Sequence, residues 1–193
     1  MELRDRILQA AATLYAETGF RGATTRRIAE RAGVNEITLF RHFGSKTRLL
    51  HEAVKCAGAV ANLSELPARP GDPRAELLEW ALITHRGLNR HASLIRTAMA
   101  EIEERPEFMP HERSPTMCAG ISLRGYLEHL REEGRIRPGV DLDAATTMFL
   151  GTLFTDALSR DILAKLYPNP PEESIEQYVD LFLHALGTRE ARP

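Results

Sequence analysis

Apolar residues recur along this chain at intervals of three and four, the period of a helix face, while strict alternation is nearly absent. Leu3, Ile7, Ala10 or Ala11, and Leu14 form the first stripe, and Gly19 closes it, which predicts a helix over about 3–18 with a left-handed cap. Thr24-Thr25 can cap a short second helix reaching about Arg31; Gly33 turns the chain, and Asn35 can cap a third reaching about His42. Gly44-Ser45 then break and cap a fourth, from Lys46 to about Leu63. After a loop from Pro67 to Pro73, five more helices are expected over about 73–90, 91–104, 114–133, 141–165 and 172–186. The fold class is therefore all-α, with about nine helices.

The segment from Thr25 to Phe43 stands apart because its spacing has a mechanical reason. Ala29 must be small where two short helices cross closely, Gly33 permits the backbone conformation of the turn, and Ile28, Val34 and Leu39 fill the wedge between the helices. A small residue, glycine four positions on, and an apolar residue six further describe a helix-turn-helix. They also describe an ordinary helical hairpin, so the outward side chains must decide.

Charge does help to decide. The whole chain carries a formal −2, yet residues 1–55 hold ten Lys/Arg against six Asp/Glu, leaving +4 at that end and −6 over 56–193. Between Arg21 and Arg48 there are seven basic residues and two acidic ones. A cationic patch on a mildly acidic body is the footprint of a protein that meets polyphosphate at one end, since phosphate contact depends on the local field. A solvated basic face is the bland alternative.

From Thr24 through Leu49, the Thr-Thr, Ile-Ala, Ala-Gly-Val, Thr-Leu-Phe, His-Phe and Ser-Lys elements closely resemble the DNA-binding domain of the TetR family of transcriptional regulators. The likeness is strong over residues 4–55 and general afterwards. It implies a three-helix helix-turn-helix DNA-binding domain over 1–50, including the start of a linking fourth helix, followed over 51–193 by a helical bundle that binds an effector and dimerises. It further implies a repressor released from a palindromic operator by a small molecule. A ligand-free regulator or activator, or a helical protein-interaction module, is the alternative.

On that resemblance the DNA-contacting set is Thr25, Arg26, Asn35, Glu36, Ile37, Thr38, Arg41, His42 and Lys46. Thr25 would hydrogen-bond a phosphate, and Arg26 would reach phosphate or a guanine edge. Glu36, Ile37, Thr38 and Arg41 are the outward positions of the third helix. His42 resembles the family's phosphate-contacting histidine, and Lys46 adds charge where the fourth helix presents free N–H groups. For Arg27 and Arg31 a solvated face is the expectation. Three departures matter: Phe40 replaces a common tyrosine and lacks its hydroxyl, Ile37 stands where small residues are usual, and Glu36 puts a carboxylate toward DNA, where it can accept a bond from cytosine N4.

In the body, Ile175, Val179, Phe182 and Leu186 make one stripe of the last helix, with Tyr178, Leu181 and Ala185 beside it. The preceding helix mixes Met148, Phe149, Leu153, Phe154 and Leu158 with small Ala144, Ala145, Gly151 and Ala157. Helices apolar on more than one side are sandwiched, which fits either a buried core or a homodimer through the last two helices. Trp80, His85, Met99, Met117, Cys118 and Tyr126 are candidates to line an effector pocket, with His85 or Glu101 as polar anchor, although each also suits ordinary packing. No linear signature of nucleophile, metal or phosphate chemistry occurs, so neither an enzyme nor a cofactor or metal is expected. Two distant cysteines and no long apolar run point to a cytoplasmic protein with no membrane span.

Overall fold

The structure, a computed structural model, describes residues 2–60, 65–106 and 115–188, and every regular element among them is a helix. In chain order these are α1 (Leu3–Gly22), α2 (Thr25–Ala32), α3 (Glu36–Phe43), α4 (Lys46–Val60), α5 (Pro73–Arg90), α6 (Ala92–Glu101), α7 (Pro115–Glu132), α8 (Leu142–Ser159) and α9 (Pro171–Leu186). Leu63 and residue 114, expected helix ends, lie outside the described residues. The clearest difference is in α8, which stops at Ser159 instead of near 165. Just past that end, Arg160 grips the Asp156 carboxylate one turn back through both Nε and Nη2 while donating to the Asn169 carbonyl, so the chain leaves the helix axis through turns.

Gly19 has the positive φ expected of it, 64°, but its ψ is −175°, so α1 kinks there and regains one turn to Gly22. The kink frees the Phe20 N–H, which donates to Glu101 Oε1 at 2.9 Å, while the Tyr15 hydroxyl donates to Oε2 at 3.0 Å. Glu101, a candidate ligand anchor, is thus held at the break in α1.

Contacts divide the chain into two units, Met1–Val60 with His91–Ser114, and Ala61–Arg90 with Pro115–Pro193. In the first, α1 packs on α2, α4 and α6, around Ile7, Ala11, Leu14, Tyr15, Ile28, Leu39, Leu49 and Leu50. A unit of about 50 residues buries so little surface that its core is marginal alone. Leu94 and Ala98 of α6 enlarge that core, so the expected boundary at residue 50, which assigned α6 to the body, differs from this grouping.

In the second unit α5 packs on α8 and α9, and α7 on α8. Its centre is aromatic: the Phe149 ring lies 4.3 Å from Phe182 at 12° and 6.4 Å from Trp80 at 20°. Beside this apolar layer is a buried polar cluster. His85 Nε2–H donates to Asp156 Oδ1 at 2.7 Å, and the Tyr178 hydroxyl and Arg160 Nη2 donate to Oδ2 at 2.8 and 2.7 Å. His85 and Asp156 are each only 1% exposed. Burial alone would raise the Asp156 pKa, but the bonds from Arg160, Tyr178 and His85 outweigh it and hold the carboxyl below its ordinary range.

That depression has a signed consequence. Stability from Asp156 is fully present above the unfolded carboxyl pKa, about 4, and is lost as pH falls through the lower folded value. Asp156→Asn leaves Arg160 without its counter-ion, and urea unfolding at pH 7 should show a loss of about 3–5 kcal/mol. The variant's stability should also fall less steeply than the wild type's as pH drops below about 4. Parallel profiles for the two proteins would contradict the assignment.

Candidate nucleic-acid interface

Local chemistry builds the α2–α3 hairpin. Thr24 caps α2, its Oγ1 accepting from the Arg27 N–H at 3.3 Å. At the other end Gly33 is left-handed, φ 68° and ψ 38°, which lets the Gly33 and Val34 N–H groups donate to the Glu30 and Ala29 carbonyls at 3.2 and 3.0 Å. Ala29 is buried at the crossing, as are Ile28 and Leu39. Asn35 caps α3 with one oxygen that accepts from both the Thr38 N–H and the Thr38 hydroxyl, each at 2.8 Å. Gly44, φ 75°, ends the helix and Ser45 caps α4 by accepting from the Arg48 N–H at 3.2 Å.

The result is a helix with two unlike sides. Leu39 and Phe43 seat in the core, whereas Ile37 is 77% exposed, Phe40 is 45% exposed, and Arg41 and His42 stand in solvent. An apolar patch beside two nitrogen-bearing side chains can meet thymine methyls, base edges and phosphates.

The other expected contacts are partly engaged within the chain. Arg26 pairs with Glu30 at 3.1 Å in an exposed i,i+4 bridge, a weak tie that a phosphate can displace. The Thr25 hydroxyl donates to Glu36 Oε1 across the turn. Thr38 gives its proton to Asn35, leaving the Asn35 amide nitrogen as the donor that faces out. Arg27 donates to the Gly22 carbonyl at 2.7 Å and Arg31 reaches Glu17 at 2.9 Å, so both tie α2 to α1, a structural use beyond a solvated face.

Lys46 sits on the first turn of α4 with Nζ 4.3 Å from the Phe20 ring centroid. The Arg105 guanidinium lies 3.8 Å from the same ring. Burial first, then Arg105, lower the Lys46 pKa, against an opposing pull from Glu101. Two cations therefore share one aromatic ring near a helix start, where an anion would relieve their repulsion. Arg105 escaped the sequence reading because it lies far outside the motif and no local pattern marks it.

The six pocket candidates are dispersed. Trp80, His85 and Tyr126 are buried in the second unit, where the Tyr126 hydroxyl donates to Glu76 at 2.5 Å. Met117 and Cys118 are exposed on α7, and Met99 is exposed on α6, in the first unit. Two residues the sequence reading missed are more telling in different ways. Thr84 is 1% exposed, and its hydroxyl, like the Trp80 indole N–H one turn earlier on α5, has no hydrogen-bond partner among the described residues. Asp156 organises the polar cluster that contains His85.

Residues 7–53 match the family described as "Bacterial regulatory proteins, tetR family". Over 183 residues, 94% of this chain and 96% of the relative, the sequence is 28% identical to an uncharacterized HTH-type transcriptional regulator, YvkB, of Bacillus subtilis (strain 168). It is also 28% identical over 152 residues, 74% of this chain and 72% of the relative, to the HTH-type transcriptional repressor KstR2 of Rhodococcus jostii (strain RHA1). Among solved structures, a transcriptional regulator from Rhodococcus sp. Rha1 covers 98% of this chain and 99% of its own, with a TM-score of 0.71 at 23% identity. The ketosteroid transcriptional regulator KstR2 of Mycobacterium tuberculosis gives a TM-score of 0.67 at 23% identity, covering 98% and 96%. At those identities the structural likeness speaks to the fold.

If the outward face of α3 meets DNA, charge and hydrogen bonding there separate cleanly. Arg41→Ala should reduce the magnitude of the slope of log K against log salt by about 1 when Arg41 contacts a phosphate. Phe40→Tyr should tighten duplex binding about fivefold by supplying one more hydrogen-bond donor. Both side chains are exposed, so urea midpoints should be unchanged; unaltered binding by both variants would remove this face from the interface.

Proposed function

We infer that this chain, whose residues 7–53 match the tetR family of bacterial regulatory proteins, is a repressor that holds a palindromic operator as a homodimer and lets go when a small molecule binds its second unit. The observation carrying the DNA half of this reading is the division of α3. Its inner residues, Leu39 and Phe43, are buried, while Ile37, Phe40, Arg41 and His42 are left to solvent on the basic end of the chain. Such a helix suits a major groove, with exposed Arg26 and the partly exposed Lys46 available to phosphates.

Surface composition supports a two-fold partner on α8 and α9. The outer side of α8 carries Ala144, Thr147, Met148, Gly151 and Thr155, and that of α9 carries Leu181, His184 and Ala185. Met148 is 54% exposed and Leu181 67% exposed. Small residues around two large apolar ones let helices from a second copy approach closely and bury those side chains. A dimer would set two reading heads roughly 34–36 Å apart, or a multiple of that, to match successive groove faces.

For the effector, two features of α5 speak in favour of the second unit. Trp80 and Thr84 bury unmatched donors on neighbouring turns, which suits a ligand with a hydrogen-bond acceptor. Nearby in sequence, Leu82, His85, Arg86 and Asn89 line a cleft of about 310 Å3 together with Pro171 and Ile175 of α9. A ligand there acts only through unequal affinity for the operator-competent and incompetent dimers.

The function is tested by selecting bound duplexes from a random pool. An inverted repeat with half-sites one helical turn or a multiple apart is expected, and binding should weaken steeply with salt. Met148→Asp combined with Leu181→Asp should yield monomers in sedimentation and cut affinity for the full repeat at least tenfold. No preference for any duplex in dilute buffer would sink the reading, whereas salt-indifferent capture of a protein would favour an interaction module.

A further inference from the structure

We propose that Thr25 is a positioning residue for base recognition and not a phosphate ligand: its hydroxyl holds the Glu36 carboxylate so that the second carboxylate oxygen can read a cytosine. The proposal rests on α3 being the groove-reading helix and deepens that reading by naming how one base is chosen. A threonine hydroxyl has one proton, and Thr25 Oγ1 gives it to Glu36 Oε1. Phosphate oxygens accept only, so while that bond stands the Thr25 hydroxyl has no proton to donate to the backbone of a duplex.

The contact joins residues 11 apart, the first of α2 and the first of α3. Their closeness is set by the Gly33 turn and the packed Ala29 crossing, not by local chain geometry. Glu36 is half-buried, has no ion-pair partner among the described residues, and keeps Oε2 clear of the Thr25 bond. A glutamate left to itself samples many rotamers, and freezing it on binding opposes association. Fixing one oxygen beforehand removes most of that freedom. The carboxylate also sits at the amino end of α3, where the helix dipole favours a negative charge and offsets part of the repulsion from nearby phosphates. Of the groups that base edges offer to a carboxylate in the major groove, cytosine N4 is a donor without an adjoining N7 acceptor, whereas adenine N6 stands beside one.

The experiment uses the full-length protein and the operator selected by the wild type, altered in turn to each base at every half-site position. Glu36→Gln identifies the position that depends on the carboxylate, where the wild type should prefer cytosine. At that position Thr25→Val, which keeps the shape but lacks the hydroxyl, should lower the preference for cytosine over other bases about fivefold to tenfold while leaving the salt slope intact. Thr25→Ser should restore the preference, which separates positioning from any loss of folding. A uniform loss of affinity across all four bases in Thr25→Val, with base preference unchanged, would overturn the proposal in favour of a phosphate contact. Tight, selective binding in which Glu36→Gln changes no base preference would overturn it too, yet leave the groove reading of α3 standing. Absence of any selected duplex would instead remove that reading and this proposal with it.

Discussion

The α2–α3 hairpin depends on one buried alanine and one left-handed glycine. Ala29 is buried in the core of the first unit, and the Val34 N–H reaches the Ala29 carbonyl because Gly33 takes a left-handed turn. A larger side chain at 29 would push α3 outward, and a β-carbon at 33 would strain the turn. The DNA-facing half of the proposed function depends on that arrangement. It buries Leu39 and Phe43, turns Ile37, Phe40, Arg41 and His42 toward solvent, and brings Thr25 to Glu36. One steric condition therefore sets both the stability of the hairpin and the identity of its outer face.

The two units solve their packing in different ways. The first is an apolar core enlarged by α6 and pinned at its margin by two-bond polar ties, with Glu101 at the α1 kink and Arg31 on Glu17. The second combines an aromatic stack with a buried carboxylate that takes hydrogen bonds from three helices or their ends. Apolar side chains could fill that second site at lower desolvation cost. What they would lack is direction: Asp156 accepts from His85, Arg160 and Tyr178 in one geometry, which specifies how α5, the end of α8 and α9 meet.

Much of this was legible before any coordinates. Glycine and cap chemistry marked α1 to α4 because Gly33, Gly44, Thr24, Asn35 and Ser45 act on neighbours a few residues away, and those bonds form as expected. The match to the tetR family model covers the same stretch, residues 7–53. The features that stayed hidden depend on distant partners. Nothing local marks α6 as belonging with α1, ends α8 at Ser159, or brings Arg105 to Phe20. The Thr25–Glu36 bond lay between: both residues were singled out for DNA, but their meeting depends on the tertiary crossing. Met99 and Met117 are exposed for a related reason, since periodicity shows a helical face without saying what covers it.

The exposed pair Ile37 and Phe40 on α3 has a thermal consequence. If these side chains are buried against thymine methyls and sugars in a complex, association releases water from apolar surface as well as counter-ions from phosphate. The first contribution lowers the heat capacity of the complex, so the enthalpy of association grows more negative on warming. It also persists at ionic strengths that weaken the purely cationic contacts, giving this regulator a grip that depends on temperature and on salt through two separate sets of side chains.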